Sequence, residues 1–256
     1  MSYTVFIPAA GLGSRLDRLT KHLNKALVSI NNKPTISHII DQFPCNCTFV
    51  IALGYKGQLL RDFLTLAYPE RQFYFAEVRH YEGPESGLGR TLLDSKHHLN
   101  CPFVFSSCDT LVRGSIPAPD YNWMGYANSN MLAPYRTIAI ENSRVVEILE
   151  KGEGVDSANH PYIGLCGVHN YHLFWDVMSD LSSSVVSVGE SYGLKGLLSD
   201  GIAAKEFQWF DTGNHQSLHS TRASFSTPNS PNILEKDNES IWFVDSRVIK
   251  FSTDTS

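Results

Sequence analysis

Short runs of consecutive apolar residues alternate along the first half of the chain with segments in which apolar residues recur every three to four positions. The runs at 4–7, 48–53, 73–78 and 102–107 predict strands that are buried on both faces of a sheet. The segments between them predict amphipathic helices. This order of strands and helices predicts a right-handed parallel α/β sheet.

The pattern changes in the second half, where apolar and polar residues alternate. Strands are predicted at 123–127 and 162–169, a hairpin is predicted from 135–140 and 144–150, and a further strand is predicted at 203–210. The predicted fold class is α/β, with a mostly parallel central sheet flanked by helices and a small antiparallel region.

The C-terminal segment differs in composition from the rest. Residues 226–231 have the composition of a linker, and 241–244 and 248–251 predict a small β-hairpin. We therefore divide the chain into a domain over residues 1–225 and an appendage over 226–256. The pattern leaves open whether this hairpin packs on the core, forms a subunit contact or is the remnant of a connection to a second domain.

Composition narrows the function classes. Of the 256 residues, 42% are hydrophobic and 18% are charged, which is typical of an ordinary soluble protein. The net charge of −5 argues against a broad surface for nucleic acid or anionic membrane. There is no charged-then-apolar leader before the first strand, and no apolar run approaches a membrane span. The five cysteines are interpreted as reduced thiols. We expect a cytoplasmic protein, and a homo-oligomer is compatible with this.

The loop after the first strand is the strongest candidate for chemistry. Its small residues let backbone N–H groups approach an anion. Arg15 then offers a planar cationic fork, and Lys25 offers a point charge, so the segment predicts a nucleoside triphosphate site. A glycine-rich turn without a ligand is the plain alternative. A dinucleotide fingerprint would need glycine where Leu16 stands, and no Walker A loop is present.

Carboxylates follow two predicted strands. Asp109 lies just beyond the strand at 102–107, and Asp211 follows the strand at 203–210. A carboxylate at the carboxyl end of a parallel strand is well placed to hold a metal ion beside phosphates. Capping of the next turn is an equal alternative for Asp109.

Two stretches carry a family resemblance. PAAGLGSRL, followed by Lys25, resembles the signature of nucleotidyltransferases that activate sugar 1-phosphates or phosphocholine. WFDTGNHQSL is similar to the stretch that supplies the second metal carboxylate of that family. The resemblance covers roughly residues 3–225. Asn24 stands where the family has proline, and Cys108 stands where it has glycine.

The resemblance implies a Rossmann-like nucleotidyltransferase fold, with Arg15, Lys25 and Asp109 as catalytic residues. It implies Mg²⁺ as the cofactor, held by Asp109 and Asp211. The implied nucleotide-binding residues are Ala9, Ala10, Gly11, Leu12, Gly13, Ser14, Arg15, Lys25, Ser86, Gly87, Leu88 and Asp109. The acceptor-binding candidates are Glu150, Lys151, Gly164 and Glu190. The plain alternatives are a strand-to-helix connection for the loop at 86–88 and a solvated lysine for Lys151.

The predicted reaction joins a nucleoside monophosphate from a triphosphate to a small phosphorylated acceptor and releases pyrophosphate. A pocket built from backbone favours a pyrimidine base. The overall likeness is to small cytidylyltransferases of capsule and surface-polysaccharide synthesis, which implies CTP and L-glutamine phosphate as substrates. One alternative is a sugar 1-phosphate enzyme that uses UTP or dTTP. Another alternative is a catalytically silent regulator that binds a nucleotide. The departures from the family pattern at Asn24 and Cys108 favour this alternative. Leu16 contradicts a nicotinamide oxidoreductase.

Overall fold

The computed structural model describes residues 2–153, 156, 158–179, 183–226 and 239–252. The strands are β1 (Thr4–Ala9), β2 (Ser29–Ile30), β3 (Lys33–Pro34), β4 (Thr48–Leu53), β5 (Gln72–Glu77), β6 (Phe103–Ser106), β7 (Thr110–Arg113), β8 (Trp123–Tyr126), β9 (Thr137–Glu141), β10 (Arg144–Leu149), β11 (His160–Val168), β12 (Ile202–Glu206), β13 (Gln208–Asp211), β14 (Glu239–Val244) and β15 (Arg247–Ser252). The helices are α1 (Thr35–Ile40), α2 (Gly57–Ala67), α3 (Leu88–Ser95), α4 (Tyr171–Met178), α5 (Ser183–Val188), α6 (Glu190–Gly196) and α7 (His215–Phe225). Short 3-10 helices span Ser14–Thr20, Lys25–Leu27 and Lys96–His98.

Nine strands form one sheet in the order β5-β4-β1-β6-β11-β8-β12-β10-β9. The first four are parallel to one another. Val5, Phe6 and Ile7 of β1 are fully buried, because both faces of this central strand are covered. The predicted α/β fold class is confirmed, and the carboxyl ends of β1 and β6 meet at one edge of the sheet.

The remaining five strands continue the same sheet with mostly antiparallel pairing, although β12 is parallel to β8. β11 runs antiparallel to both β6 and β8, and the β9–β10 hairpin forms the far edge. The register between β11 and β8 shifts between Tyr162 and Cys166. Gly164 lies within this irregularity with a φ of +71°, a conformation that glycine adopts without steric cost.

The single strand predicted at 203–210 is wrong, because two strands occupy this region. β12 belongs to the main sheet, whereas β13 pairs antiparallel with the unpredicted strand β7. The break falls at Phe207, whose side chain is buried and whose N–H donates to the carbonyl of Tyr126. An alternating pattern cannot reveal this change of partner. The β13–β7 register places Asp211 opposite Thr110, next to Asp109.

The C-terminal hairpin, β14–β15, packs on the core. Trp242 is 1% exposed, and its ring lies edge-on to Phe63 of α2 at 5.2 Å between centroids. The N–H of Phe243 donates to the carbonyl of Asn32 at 2.8 Å. Of the three roles left open by the sequence, packing on the core is therefore the one observed. The predicted linker lies outside the described residues from 227 onward.

Replacing Trp242 by alanine tests this packing. The loss of a buried tryptophan side chain is expected to lower the free energy of unfolding by about 3–5 kcal/mol. Phe243→Ala is the matched control: Phe243 is 38% exposed on the same strand, so its loss should lower the free energy of unfolding by clearly less, about 1 kcal/mol. Urea unfolding measures both. Equal effects of the two substitutions would contradict the packing described here.

Candidate active site

A cleft of about 380 Å³ opens beyond the carboxyl ends of β1 and β6. Its size is in the range of small-molecule sites, and its position is where ligands bind in parallel α/β sheets. The predicted residues that line it are Ala10, Gly11, Arg15, Lys25, Ser86, Gly87, Leu88, Asp109, Lys151, Gly164, Glu190 and Asp211. Residues from distant parts of the sequence thus meet in one cleft.

Other predicted residues do not line the cleft. Ala9 is buried at the end of β1, Leu12 and Gly13 follow Gly11 in the loop, and Ser14 begins the 3-10 helix Ser14–Thr20. Gly13 nevertheless affects the site. Its φ is +68°, and a Cβ placed on it would lie 2.9 Å from the Cβ of Lys25. A side chain at position 13 would therefore displace Lys25 from its position in the cleft.

Lys25 and Asp109 form the centre of the cleft. The Lys25 Nζ lies 3.2 Å from the Asp109 Oδ2, and the two side chains are 21% and 18% exposed. The Ser107 hydroxyl donates to the other carboxylate oxygen, Oδ1, at 2.6 Å. Ser107 is in turn held by β11, since its N–H donates to the carbonyl of Gly164 at 2.8 Å. The carboxylate is thus fixed on both sides.

The Lys25 ammonium and the Asp109 carboxylate stabilise each other in their charged forms. Burial by itself would raise the pKa of Asp109, but the Lys25 ammonium and the Ser107 hydroxyl outweigh burial and lower the pKa to about 2. Burial would likewise lower the pKa of Lys25, but the Asp109 carboxylate keeps it above its ordinary value. Both groups are therefore charged at neutral pH.

Asp211 lies beside this pair. Its carboxylate accepts hydrogen bonds from the N–H of Gly213 at 2.9 Å and from the Tyr135 hydroxyl at 3.1 Å. Burial and this carboxylate raise the pKa of Tyr135 to about 12, so the hydroxyl stays protonated as a donor. A Cβ built on Gly213 would lie 3.1 Å from Asp211 Oδ1, 3.3 Å from Asp109 Oδ2 and 3.3 Å from Arg15 Nη2. The two carboxylates and the guanidinium therefore border one space, which the glycine leaves open.

This space fits a magnesium ion that is bound together with phosphates. Mg²⁺ takes oxygen ligands and is usually held by one or two carboxylates plus substrate phosphates and water. Asp109 and Asp211 supply the two carboxylates of such a site. Within the described part of the chain, no cluster of three or more His, Cys, Asp or Glu side chains forms a complete protein cage.

The second loop, residues 86–88, lines the cleft together with Ala10 and Gly11. A Cβ on Gly87 would come within 2.2 Å of the carbonyl oxygen of Val186. The glycine therefore allows the start of α3 to lie against α5. Close packing against α5 therefore explains why a glycine stands here. The backbone of Gly87 also lines the cleft without a side chain.

Of the residues predicted to bind the acceptor, Lys151, Gly164 and Glu190 line the cleft, but Glu150 does not. The Glu150 carboxylate is paired with Arg136 Nε at 2.7 Å and with Lys195 Nζ at 2.9 Å. A carboxylate that already binds two cations of its own chain has little capacity for a substrate hydroxyl. In this structure Glu150 orients Arg136, and the expectation of direct acceptor contact is not supported by its position.

Arg136 and Tyr162, which are not among the predicted site residues, also line the cleft. The only signal for Arg136 in the sequence is a cation near the start of the predicted strand at 135–140. The buried Tyr162 hydroxyl and the buried Glu190 carboxylate lie close enough to interact with each other. Burial raises the pKa of Glu190, although Arg136 opposes this. Because both residues line the cleft, their side chains make this part of it polar.

The fold is that of nucleotidyltransferases acting on small phosphorylated metabolites. UDP-glucose pyrophosphorylase in complex with UDP-glucose superposes with a TM-score of 0.72 at 16% identity, over 88% of this chain and 98% of that chain. CTP:phosphocholine cytidylyltransferase from Streptococcus pneumoniae superposes with a TM-score of 0.73 at 18% identity, over 88% and 100% of the two chains.

One curated protein is similar in sequence. UTP–glucose-1-phosphate uridylyltransferase AglF of Haloferax volcanii is 26% identical over 110 residues, which is 42% of this chain and 44% of the relative. The match thus spans less than half of either protein. No family model matches the chain. Among the described residues, no helix has the length and apolarity needed to cross a bilayer.

Proposed function

We propose that this protein transfers a nucleoside monophosphate from a pyrimidine nucleoside triphosphate to a small phosphorylated acceptor, with release of pyrophosphate. The observation that carries the proposal is the convergence of Arg15, Lys25, Asp109 and Asp211 in one cleft beside the bare Gly11 loop. Two cations and two carboxylates around one space suit a triphosphate with its metal ion.

The chemistry needs no covalent enzyme intermediate. An oxygen of the acceptor phosphate attacks the α-phosphorus and forms a new P–O bond. The bond from the α-phosphorus to the α,β-bridging oxygen breaks, and pyrophosphate leaves with that electron pair. A phosphate oxygen is already a nucleophile at neutral pH, so catalysis consists of positioning and charge neutralisation.

Each residue has a distinct role in this proposal. Arg15 and the backbone of Gly11, which line the cleft, hold the β- and γ-phosphates, while Lys25 donates to the α-phosphate and the incoming oxygen. Asp109 keeps Lys25 charged and in place at 3.2 Å. Asp109 and Asp211 hold Mg²⁺, which neutralises phosphate charge when bound.

For the acceptor, the comparisons favour the sugar 1-phosphate alternative over the phosphoglutamine prediction. UTP and glucose 1-phosphate are named for the curated relative, and UDP-glucose is bound in one structural neighbour. Tyr162 and Glu190 line the cleft and supply polar side chains for sugar hydroxyls. UTP or dTTP with a sugar 1-phosphate is therefore the leading pair.

The second candidate pair is CTP with a phosphorylated amino-acid or choline-type acceptor, with L-glutamine phosphate as the specific case. Lys151 lines the cleft beside Arg136 and offers a cation to an acceptor that carries a carboxylate besides its phosphate. A CTP-dependent neighbour shares the fold. A role in capsule or surface-polysaccharide precursor synthesis belongs to this second candidate.

A matrix of UTP, dTTP and CTP against glucose 1-phosphate, phosphocholine and L-glutamine phosphate decides between these pairs. Pyrophosphate release is measured with Mg²⁺ present. The leading proposal predicts the highest kcat/KM for UTP or dTTP with the sugar 1-phosphate. A higher kcat/KM for CTP with L-glutamine phosphate would instead select the second candidate. If the protein bound a nucleotide but released no pyrophosphate with any pair of substrates, the catalytically silent regulator would be favoured.

A further inference from the structure

We infer that Asn24 is a positioning residue, whose buried side-chain amide fixes the turn that presents Lys25 to the cleft. This inference rests on the proposed function, because its main readout is the rate of nucleotidyl transfer. Asn24 itself does not line the cleft and is fully buried. It therefore acts through its neighbour and not on a substrate.

The amide of Asn24 joins three segments. Its Nδ2 donates to the carbonyl of Ala9 at 2.8 Å and to the carbonyl of Tyr55 at 2.7 Å. Its Oδ1 accepts from the N–H of Ala26 at 2.9 Å, which caps the short helix Lys25–Leu27. The end of β1, the loop after β4 and the lysine turn are thus tied together by one side chain.

This arrangement determines where Lys25 can reach. The side-chain amide of Asn24 fixes the residues on both sides of Lys25. It anchors Asn24 itself to the carbonyl of Ala9, and it binds the N–H of Ala26. The Lys25 Nζ is thereby brought to 3.2 Å from Asp109 Oδ2. The backbone of Asn24 has a φ of −67°, a value that proline also adopts. The side-chain hydrogen bonds of Asn24 therefore stabilise a backbone conformation that a proline ring would fix through its covalent constraint on φ.

Asn122 provides a matched control elsewhere in the fold. It is 6% exposed and also makes three side-chain hydrogen bonds: Nδ2 donates to Asp200, and Oδ1 accepts from the N–H groups of His169 and Asn170. Asn122 does not line the cleft. Asn122→Ala should therefore lower stability as Asn24→Ala does, with no change in turnover by the folded enzyme.

The experiment compares Asn24→Ala, Asn24→Ser and Asn122→Ala in the full chain. A displacement of Lys25 by about 1 Å can cost on the order of 100-fold in rate, so Asn24→Ala is expected to lower kcat by that order. The KM for the nucleotide should change less than kcat, because Asn24 contacts the strand that leads into the Gly11 loop only through the carbonyl of Ala9. Asn24→Ser keeps an acceptor for the Ala26 N–H and should recover part of the lost kcat.

A second readout does not depend on turnover. Limited acylation of lysines, quantified by mass spectrometry, should label Lys25 slowly in the wild type, because its ammonium is paired with Asp109. Labelling of Lys25 should be faster in Asn24→Ala and unchanged in Asn122→Ala. If Asn24→Ala matched Asn122→Ala in both kcat and Lys25 labelling, the inference would be overturned. If the wild type released no pyrophosphate, the proposed function would fail, and the labelling would still decide the role of Asn24.

Discussion

Replacing Asp109 or Asp211 by asparagine is expected to slow turnover by about 100- to 1,000-fold, which is the usual cost of removing one preorganised charge-stabilising group. Each substitution keeps the size of the side chain and removes one negative charge from the space beside Gly213. Asp109→Asn also removes the carboxylate that keeps Lys25 charged and oriented. The rate is measured at saturating Mg²⁺, with circular dichroism to establish that the fold is retained.

Asp41→Asn is the control for these two substitutions. Asp41 is also paired with a lysine, Lys33, and accepts a hydrogen bond from a tyrosine hydroxyl, Tyr68, at 3.1 Å. It lies outside the cleft, so its loss should leave kcat unchanged. Wild-type turnover in Asp109→Asn or Asp211→Asn would remove that residue from the proposed metal site.

Lys25→Ala is expected to lower kcat by a similar factor, about 100- to 1,000-fold, with a smaller effect on nucleotide binding. The reason is that its proposed contact with the α-phosphate strengthens as charge develops in the transition state. Arg15→Ala should instead weaken binding and slow turnover together, because the β- and γ-phosphates are already present in the ground state. Steady-state kinetics and calorimetric titration with the nucleotide separate the two effects.

Lys33→Ala breaks the corresponding pair with Asp41 and serves as the control for loss of a lysine. Its kcat and its nucleotide affinity should both equal those of the wild type. A Lys25→Ala variant that changed only KM would make Lys25 an ordinary binding group. The account of transition-state stabilisation by this lysine would then be wrong.

The sequence predicted the fold class and the parallel half of the sheet, because buried parallel strands have a strong local signature of consecutive apolar residues. It did not predict that the region 203–210 divides between two sheets at Phe207. That division depends on the hydrogen bond from Phe207 to Tyr126 and on the pairing of β13 with β7. Both are contacts between distant residues, which no local pattern encodes.

The sequence likewise predicted some residues of the candidate site and missed others. Lys25, Asp109 and Asp211 were predicted from loops and strand ends, and the structure places them together. Arg136 was missed, because an arginine at the edge of a strand is usually solvated and only the fold brings it into the cleft. Glu150 was assigned to the acceptor, because the sequence could not show that Arg136 and Lys195 occupy its carboxylate. The role of Asn24 depends on carbonyls of Ala9 and Tyr55, which are distant in sequence.

The most direct test of the central claim follows the α-phosphorus itself. The enzyme is incubated with Mg²⁺, a phosphorylated acceptor and a nucleoside triphosphate labelled with ³²P at the α-position, beginning with UTP and glucose 1-phosphate. The account predicts that the label appears in an acceptor-linked nucleotide, with one pyrophosphate released for each product and no label on the protein. Labelled nucleoside monophosphate formed without any need for the acceptor, or label retained on the protein, would contradict it.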